Sequence, residues 1–256
     1  MTHSPATDYP AVSILNEAGS AQLLLVCEHA SNFIPDRYDQ LHLPAKTRQS
    51  HAAYDIGAFE LACRISELLD ASLISTTVSR LVYDCNRDFS SPGAIPDSSE
   101  IYQIDDNRDL PADEARYRYE NFYLPLETAI KKRLAAYPDP PLLITIHSFT
   151  PVYHGEAREV DIGMICDQDE QLAKTLTLLA PDYCDLKVNF NDPYGPGKGV
   201  THTLSLHGTS NGLPNTMIEV KNSLIDGSDT IEPIALMLSR LIAAAADNLG
   251  YQVSGG

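Results

Sequence analysis

The chain has 256 residues, which is enough to bury the core of one large domain or of two small ones. Its 35 acidic and 18 basic residues give a formal net charge of −17 at pH 7, and this charge repels phosphate backbones, so we expect no nucleic-acid partner. A small anionic ligand is not excluded, because a few arginines concentrated in a pocket can still bind it.

The sequence contains no break that would divide it into domains. Hydrophobic segments recur along its whole length without a Pro/Gly/Ser-rich linker, so we expect a single domain over residues 1–256 with an ordered core at about 20–250. Five widely spaced cysteines without a Cys-x-x-Cys pair indicate reduced thiols in a cytoplasmic protein. Neither an export signal at Met1–Pro10 nor an apolar run of about 18 residues is present, so we expect no membrane association. The oligomeric state is left open.

The first half of the chain predicts strands and helices in alternation. Gln22–Cys27 is a short unbroken apolar run, typical of a strand covered on both faces. Apolar residues at helical spacing predict a helix from about Tyr54 to Leu69. A strand at Leu73–Val78, a short extended piece at Leu81–Tyr83 and a long helix at Pro111–Ala136 are expected next.

The second half continues this alternation. Leu142–Ile146 predicts an apolar strand that ends at His147, and five further segments follow it: Asp161–Cys166, Glu170–Leu179, Leu186–Phe190, Met217–Val220 and Thr230–Ala245. The pattern predicts an α/β fold with a mainly parallel or mixed central sheet and helices on both faces. The active site of such a sheet lies at the carboxyl ends of its strands.

Three polar residues occupy or follow strand ends in this scheme. His29 comes directly after the first predicted strand, His147 after the Leu142 strand, and Glu219 lies within the Met217 strand. A histidine at the mouth of each of two strands suits a zinc site, because imidazole nitrogens must converge at about 2 Å on one ion from rigid supports. Each of the three alone has an equally good structural explanation.

Several motifs resemble those of known zinc hydrolases. The segment around His147 resembles the zinc-ligand strand of the zinc carboxypeptidases, Ile218–Lys221 resembles their catalytic-glutamate strand, and Asn86-Arg87 resembles their carboxylate-binding pair. A closer resemblance, over about residues 20 to 240, is to the N-formylglutamate amidohydrolase family, which is similar to those peptidases in fold. Its pattern appears in Cys27–Pro35, Tyr54–Gly57, Ser79–Arg87, His147-Ser148 and Glu219, and the Ser79–Arg87 run is the most specific part.

The resemblance implies a zinc carboxypeptidase-like (phosphorylase/hydrolase-like) fold and an enzyme that cleaves the amide of an N-formyl amino acid such as N-formylglutamate, releasing formate and the free amino acid. It also implies Zn²⁺ held by His29, His147 and a third ligand, with Glu219 as general base. The alternative for Glu219 is an ion pair with Lys221. Alternatives for the whole protein are carboxypeptidase-like or deacylase activity on another N-acyl amino acid or short peptide, and a catalytically idle carboxylate-binding protein.

The third zinc ligand departs from the carboxypeptidase pattern, which has a glutamate three positions after the first histidine. This chain has Asn32 there, and an amide oxygen is a poor zinc ligand. The candidates are Asp55, His51 and Glu28. We expect Asp55, since its Asp-Ile-Gly pattern is typical of the family, although an N-cap or first-turn aspartate is nearly as good an explanation.

Three residues of the Ser79–Arg87 run are candidates for substrate binding. Arg80 and Arg87 would hold substrate carboxylates through paired hydrogen bonds, and Asn86 would add to this contact. The alternatives are salt bridges from the arginines to Asp84 or Asp88, and a turn position for Asn86.

Two loops in the last third of the chain need separate interpretation. The Asn191–Gly199 loop is rich in turn formers and is a candidate lid or specificity loop, but it is no phosphate loop because glycine follows Lys198. Ser210 lies in a Gly-x-Ser-x-Gly pattern, yet the pattern leads into a strand instead of a helix, which argues against a serine nucleophile. His202 and His207 are expected to be surface or core residues.

Overall fold

The computed structural model describes residues 9–195 and 199–253. Within these ranges the chain forms eleven strands, β1 (Val12–Leu15), β2 (Leu23–Cys27), β3 (Ser72–Thr76), β4 (Ser98–Ser99), β5 (Tyr102–Gln103), β6 (Leu142–Phe149), β7 (Val152–Tyr153), β8 (Glu156–Ala157), β9 (Ile162–Ile165), β10 (Val188–Phe190) and β11 (Asn215–Lys221). The α-helices of the same ranges are α1 (Ala45–Arg48), α2 (Ala58–Leu69), α3 (Ala112–Arg118), α4 (Leu124–Ala135), α5 (Gln171–Leu179) and α6 (Ser228–Asn248). The expectation about Lys198 and those about residues 1–8 concern positions outside the described ranges.

Seven of these strands form one twisted central sheet in the order β1-β3-β2-β6-β11-β9-β10. The central strands β3, β2, β6 and β11 are parallel to one another. Strand β1 runs antiparallel to β3, and β9 runs antiparallel to β11 with β10 parallel to it. The expected α/β class is therefore confirmed, and its sheet is mixed with a parallel centre.

Helices cover both faces of this sheet, as the alternation predicts. One face of β2, with Leu23, Leu25 and Cys27, packs into the same apolar cluster as residues of α2, α5 and α6. The other face, with Leu24 and Val26, packs into a second cluster that includes residues of α4. Because β2 is buried on both faces, its sequence reads as an unbroken apolar run.

Helix α2 begins later than the sequence predicts. Gly57 precedes it with a φ of +77°, and a Cβ atom at this position would lie 2.0 Å from the Ile225 carbonyl oxygen. Only glycine fits such a close approach of two backbones at positive φ. The segment Tyr54–Gly57 therefore stays outside the helix and leaves the Asp55 side chain free to turn toward the sheet.

The expectation of an extended piece at Leu81–Tyr83 is wrong. These residues form a buried turn in which the Val82 and Tyr83 amides both donate to the Ser79 carbonyl. Their apolar character reflects burial in the second core cluster instead of strand pairing. The turn brings Arg80 and Asp84 to the same side of the chain, and this determines how the site is built.

The long helix expected at Pro111–Ala136 is present as α3 and α4 joined by a π-helical turn at Tyr119–Tyr123. The extra residue of a π turn rotates the following helix relative to the preceding one. Phe122 and Tyr123 of the turn are buried in the second cluster, so the irregular turn serves the packing of aromatic side chains.

Among the described residues, no helix is both long and apolar enough to cross a bilayer. None of the five cysteines forms a disulfide. The single-domain organisation stays a prediction.

Candidate active site

The strand ends bring three sequence-predicted residues together. His29 follows β2 directly, His147 lies near the carboxyl end of β6, and Glu219 is the register partner of His147 on β11. The two imidazole rings meet edge to face with their centroids 4.9 Å apart. All three side chains are buried, so this cluster lies in a largely desolvated environment.

Asp55 joins the two histidines and completes a three-donor cluster. Its Oδ2 atom lies 2.7 Å from His147 Nδ1 and 3.3 Å from His29 Nδ1. One donor atom from each of the three residues lies within 4.8 Å of the other two, and all three residues are buried. Two imidazole nitrogens and a carboxylate oxygen, with room for a further ligand, form a donor set that fits a catalytic zinc ion.

The outer nitrogen of each imidazole contacts a carboxylate of its own. His29 Nε2 lies 2.7 Å from Asp84 Oδ1, and His147 Nε2 lies 3.0 Å from Glu28 Oε2. Such carboxylates hold the outer nitrogen as the donor and leave the inner nitrogen for a metal. This arrangement is the second observation that fits a metal centre, and it gives Glu28 an orienting position instead of a ligand position.

Sequence reasoning missed the orienting position of Glu28 and Asp84. Glu28 was a candidate third ligand, and Asp84 was only an alternative partner for an arginine. Glu28 is adjacent to His29 in sequence, and Asp84 lies in the most specific motif, so both positions carried a signal. Their pairing with particular ring nitrogens could not be read from that signal.

The remaining ligand candidates lie elsewhere. His51 is half-buried at the mouth of the pocket and pairs through Nε2 with Glu100 at 2.8 Å. The Asn32 amide donates to the Arg48 carbonyl at 3.1 Å. Asp55 does not cap a helix, since its side chain bonds the histidines. The geometry therefore favours Asp55 as the third ligand, and this is also the residue that the sequence predicts.

Electrostatics within the cluster favour the ionised carboxylates. Burial by itself raises the pKa of Asp55, but the attraction of His29 and hydrogen bonds from both histidines hold that pKa far below its ordinary value. Burial opposes a charge on His147 as well, yet Glu28 and Asp55 raise its pKa well above the usual range. The pKa of Asp84 is also lowered, against burial, by His29 and Arg80.

Glu219 differs from the other buried carboxylates. Burial, strengthened by the charge of Asp55, raises the pKa of Glu219 to about 7, although His147 acts in the opposite direction. Its Oε2 atom has no hydrogen-bond partner within the described residues. The alternative ion pair is not formed, because Lys221 Nζ donates to Asp161 at 2.8 Å. Glu219 is thus a buried carboxylate whose pKa suits proton transfer near neutral pH.

The predicted substrate-binding residues line the pocket but already have protein partners. Arg80 donates to Asp84 at 2.9 Å and to Asp55 at 3.3 Å. Arg87 Nη1 donates to the carbonyls of Asn86, at 3.0 Å, and Gly199. The salt bridges considered as an alternative are therefore present for Asp84, and the substrate contacts stay a prediction.

Both the nitrogen and the oxygen of the Asn86 side-chain amide form hydrogen bonds with the neighbouring loop. Its Nδ2 donates to the Val200 carbonyl at 2.6 Å, and its Oδ1 accepts from the Thr203 amide at 3.1 Å. These bonds hold the chain at residues 200–203 against the Ser79–Arg87 motif. A direct substrate contact from Asn86 would compete with them and stays a prediction.

The cluster opens into a pocket of about 200 Å³, which matches a small-molecule ligand. The pocket wall includes Tyr194, which the sequence predicts as a pocket residue, and Arg158, which it does not. Arg158 follows the β7–β8 hairpin in an irregular segment without a motif, so no sequence signal identified it. Tyr194 belongs to the Asn191–Gly199 loop, in agreement with its expected position next to the site.

The rejected serine-hydrolase pattern is not part of the pocket. Ser210 is exposed and donates to the Ser205 carbonyl at 2.8 Å, and the next regular element is strand β11. His207 is buried, and half-buried His202 lies 2.7 Å from the Tyr123 hydroxyl. No nucleophile elbow exists in this part of the chain.

A mixed α/β sheet with a buried histidine-aspartate-histidine cluster and an adjacent carboxylate defines a protein with a candidate metal-hydrolase site. The chain belongs to the N-formylglutamate amidohydrolase family, whose model matches residues 21–225. This match confirms the family resemblance found in the sequence. It also assigns the chain to a class of hydrolases that act on amides.

Solved structures share the fold of this chain. A gene product of Agrobacterium tumefaciens is 44% identical with a TM-score of 0.92, over 95% of this chain and 97% of that one. N-formylglutamate amidohydrolase from Ralstonia eutropha JMP134 is 16% identical with a TM-score of 0.61, over 94% of this chain and 99% of that one, and it shares the fold. A search of curated proteins finds no match.

Proposed function

We propose that this protein is a zinc-dependent amidohydrolase that cleaves the amide of an N-formyl amino acid such as N-formylglutamate. Membership of the family supports amide hydrolysis. The observation that carries the proposal is the buried cluster of His29, Asp55 and His147 with Glu219 beside it. Three donors for a metal and one carboxylate outside the donor set are the components of a metal-dependent hydrolase.

In this proposal His29, His147 and Asp55 hold the zinc ion. When bound, zinc supplies Lewis-acid chemistry, which polarises an acyl carbonyl and lowers the pKa of water. Glu28 and Asp84 keep the two imidazoles oriented through their outer nitrogens. Because all five side chains are buried, the donor set is held on rigid supports.

Glu219 is the general base and then the general acid. Its unpartnered Oε2 accepts a proton from the attacking water, whose oxygen bonds to the formyl carbon. The C–N bond then breaks, and Glu219 returns the proton to the departing nitrogen. The products are formate and the free amino acid. A pKa of about 7 suits a group that must both accept and release a proton.

The substrate carboxylate next to the scissile amide is assigned to Arg80, Asn86 and Arg87. Within the described residues, Arg87 Nη2 has no hydrogen bond, which leaves this guanidinium with a donor for a ligand. Arg80 and Asn86 support it by holding Asp84 and the 200–203 segment in place.

We also propose a cytoplasmic protein that acts on a small molecule and has no nucleic-acid partner. The net charge of −17 supports the absence of nucleic-acid binding. Five cysteines without disulfides support a reducing compartment.

The proposal predicts different results for a Glu219 and a His147 variant. For Glu219→Gln, we expect unchanged zinc content and a loss of formate release of about 10²- to 10⁴-fold, because the base is removed and the ligands remain. For His147→Ala, zinc and activity should be lost together. Metal analysis and a formate assay on N-formyl-L-glutamate measure both quantities.

The matched control is Glu120→Gln, which changes an exposed glutamate that pairs with Arg116 on the surface. This variant should keep the parent's zinc content and rate. Full activity in Glu219→Gln, or full zinc stoichiometry in His147→Ala, would contradict the proposed roles.

The same assay decides between the alternatives that the sequence left open. Acetate release from N-acetyl amino acids that exceeds formate release would identify a deacylase of another acyl group. A parent protein that binds no zinc and releases neither product would be a catalytically idle binding protein.

A further inference from the structure

Arg158 is a half-buried arginine in the pocket wall, just after the β7–β8 hairpin. Its guanidinium lies among three aromatic rings, 4.7 Å from the centroid of Tyr153, 5.0 Å from Tyr194 and 5.5 Å from Phe149. Aromatic faces stabilise a cation without neutralising its charge. The aromatic contacts hold the guanidinium in the wall and leave its charge available to a ligand.

The charge of Arg158 is not compensated by a carboxylate. No acidic side chain of the described residues lies within 4.0 Å of its guanidinium, and its bond to the Thr150 carbonyl is long, at 3.4 Å. Arg80, in contrast, contacts both Asp55 and Asp84. Arg158 is therefore the pocket arginine with the greatest remaining capacity for an anion.

Arg158 also shares the cavity with the catalytic cluster. The Tyr194 ring, which contacts the Arg158 guanidinium, lines the same pocket as Glu219. The same pocket of about 200 Å³ is lined by Glu219, His147 and Arg158. A small molecule whose amide faces Glu219 therefore has Arg158 in the same pocket.

We propose that Arg158 binds a second carboxylate of the substrate, that of the amino-acid side chain, and makes the enzyme selective for acidic N-acyl amino acids. This inference rests on the proposed function, in which the Arg87 region holds the first carboxylate. The planar fork of a guanidinium matches a carboxylate through two parallel hydrogen bonds. Arg158 can bind this second carboxylate without giving up an ion pair within the described residues, whereas Arg80 would have to leave Asp55 or Asp84.

The test compares N-formyl-L-glutamate with N-formyl-L-glutamine, which has the same shape without the second charge. We expect Arg158→Gln to lower the ratio of their kcat/KM values at least tenfold, mainly by a loss on N-formyl-L-glutamate. Arg158→Lys keeps the charge but not the fork, so its ratio should lie between those of the parent and Arg158→Gln. Zinc content should be unchanged in both variants.

The matched control is Arg116→Gln, at an exposed arginine of α3 outside the pocket. It should leave the ratio unchanged. An unchanged ratio in Arg158→Gln, with N-formyl-L-glutamate still hydrolysed, would overturn the inference and leave the proposed function intact.

A binding measurement separates the two proposals if N-formyl-L-glutamate is not hydrolysed. Calorimetric titration of the zinc-loaded protein with glutarate, a simple dicarboxylate, should show binding that Arg158→Gln weakens at least tenfold. If no N-formyl amino acid is hydrolysed and this difference is still observed, the proposed reaction is wrong while the dicarboxylate site stands. Equal glutarate binding by parent and variant counts against the site.

Discussion

Each of the two central histidines lies between two carboxylates. Both share Asp55 on the inner side, while Asp84 and Glu28 lie against the outer nitrogens of His29 and His147. The inner carboxylate belongs to the candidate donor set, and the outer ones would keep a proton on the outer ring nitrogens when a metal is bound at the inner ones. A ligand position and an orienting position thus differ only in the ring nitrogen that a carboxylate faces.

The variant Glu28→Gln is a direct test of the orienting position. The amide keeps the shape of the side chain but removes the charge that makes His147 a stronger donor, so we expect zinc affinity to fall about 10- to 100-fold. Competition with a fluorescent chelator measures this affinity. A variant that binds zinc as tightly as the parent would remove Glu28 from the metal centre.

Glu100→Gln is the matched control, because Glu100 forms another His–Glu pair, with His51 at 2.8 Å. We expect its zinc affinity to equal that of the parent. If this variant weakens zinc binding and Glu28→Gln does not, His51 replaces Asp55 as the third ligand.

Strand ends and a helix start position the histidine-aspartate-histidine cluster, and Gly57 determines where that helix, α2, begins. The parallel pairing of β6 and β11 puts His147 and Glu219 side by side, and the late start of α2 leaves Asp55 in the preceding loop. Gly57 allows this late start because its backbone packs against the Ile225 carbonyl. Packing between distant segments therefore shapes the loop that contributes the third donor.

Gly57→Ala should be destabilising for this reason. A Cβ atom would lie 2.0 Å from the Ile225 oxygen at a φ of +77°, so we expect the free energy of unfolding to fall by more than about 1 kcal/mol. Urea denaturation of the zinc-free protein measures the loss. The control is Gly227→Ala, where nothing lies within 4 Å of the added Cβ and the backbone is extended, so only the exchange of glycine for alanine at a helix N-cap remains, and its effect should be about 0.5 to 1 kcal/mol, smaller than that of Gly57→Ala. Equal stability of the two variants would contradict the close approach.

For the whole molecule, the buried histidine His207 makes folding sensitive to acid. Burial lowers the pKa of His207 to about 4 from an ordinary 6.5, so the folded state resists a proton that the unfolded chain accepts. The contribution of this neutral histidine to stability is complete above pH 6.5 and is lost as the pH falls toward 4. No metal ligand is involved in this titration.

We expect His207 to account for on the order of 2 kcal/mol of the stability lost between pH 7 and pH 5. In His207→Gln this part should be missing, so the free energy of unfolding should fall less over the same range. Urea denaturation at the two pH values gives the difference. Exposed His154 provides the control, since His154→Gln should follow the parent. If the free energy of unfolding falls equally in His207→Gln and in the parent, His207 does not account for the loss of stability in acid.

Much of the fold and the site could be predicted from local patterns. The apolar run at β2 and the alternation of strands and helices predict the α/β class, because burial on both faces of a sheet leaves a continuous apolar signature. His29, His147 and Glu219 could be singled out because the carboxyl ends of parallel strands meet at one edge. The motifs identified the family before the fold was known.

Long-range geometry accounts for what the sequence did not reveal. The turn at Leu81–Tyr83 looked extended because apolar residues in a buried turn and in a strand look alike over so short a run. The outer carboxylates and the uncompensated Arg158 depend on side chains that are distant in sequence, such as Glu28 and His147 or Arg158 and Tyr194.

The sequence by itself determined the class of fold, the family and the residue types of a candidate metal-hydrolase site, because these depend on local periodicity and residue type. Only the tertiary structure decided which nitrogen each carboxylate faces, which arginines are already neutralised and which glutamate is left without a partner. Those properties depend on distances of a few ångströms between segments, and a linear sequence does not contain such distances until the chain is packed.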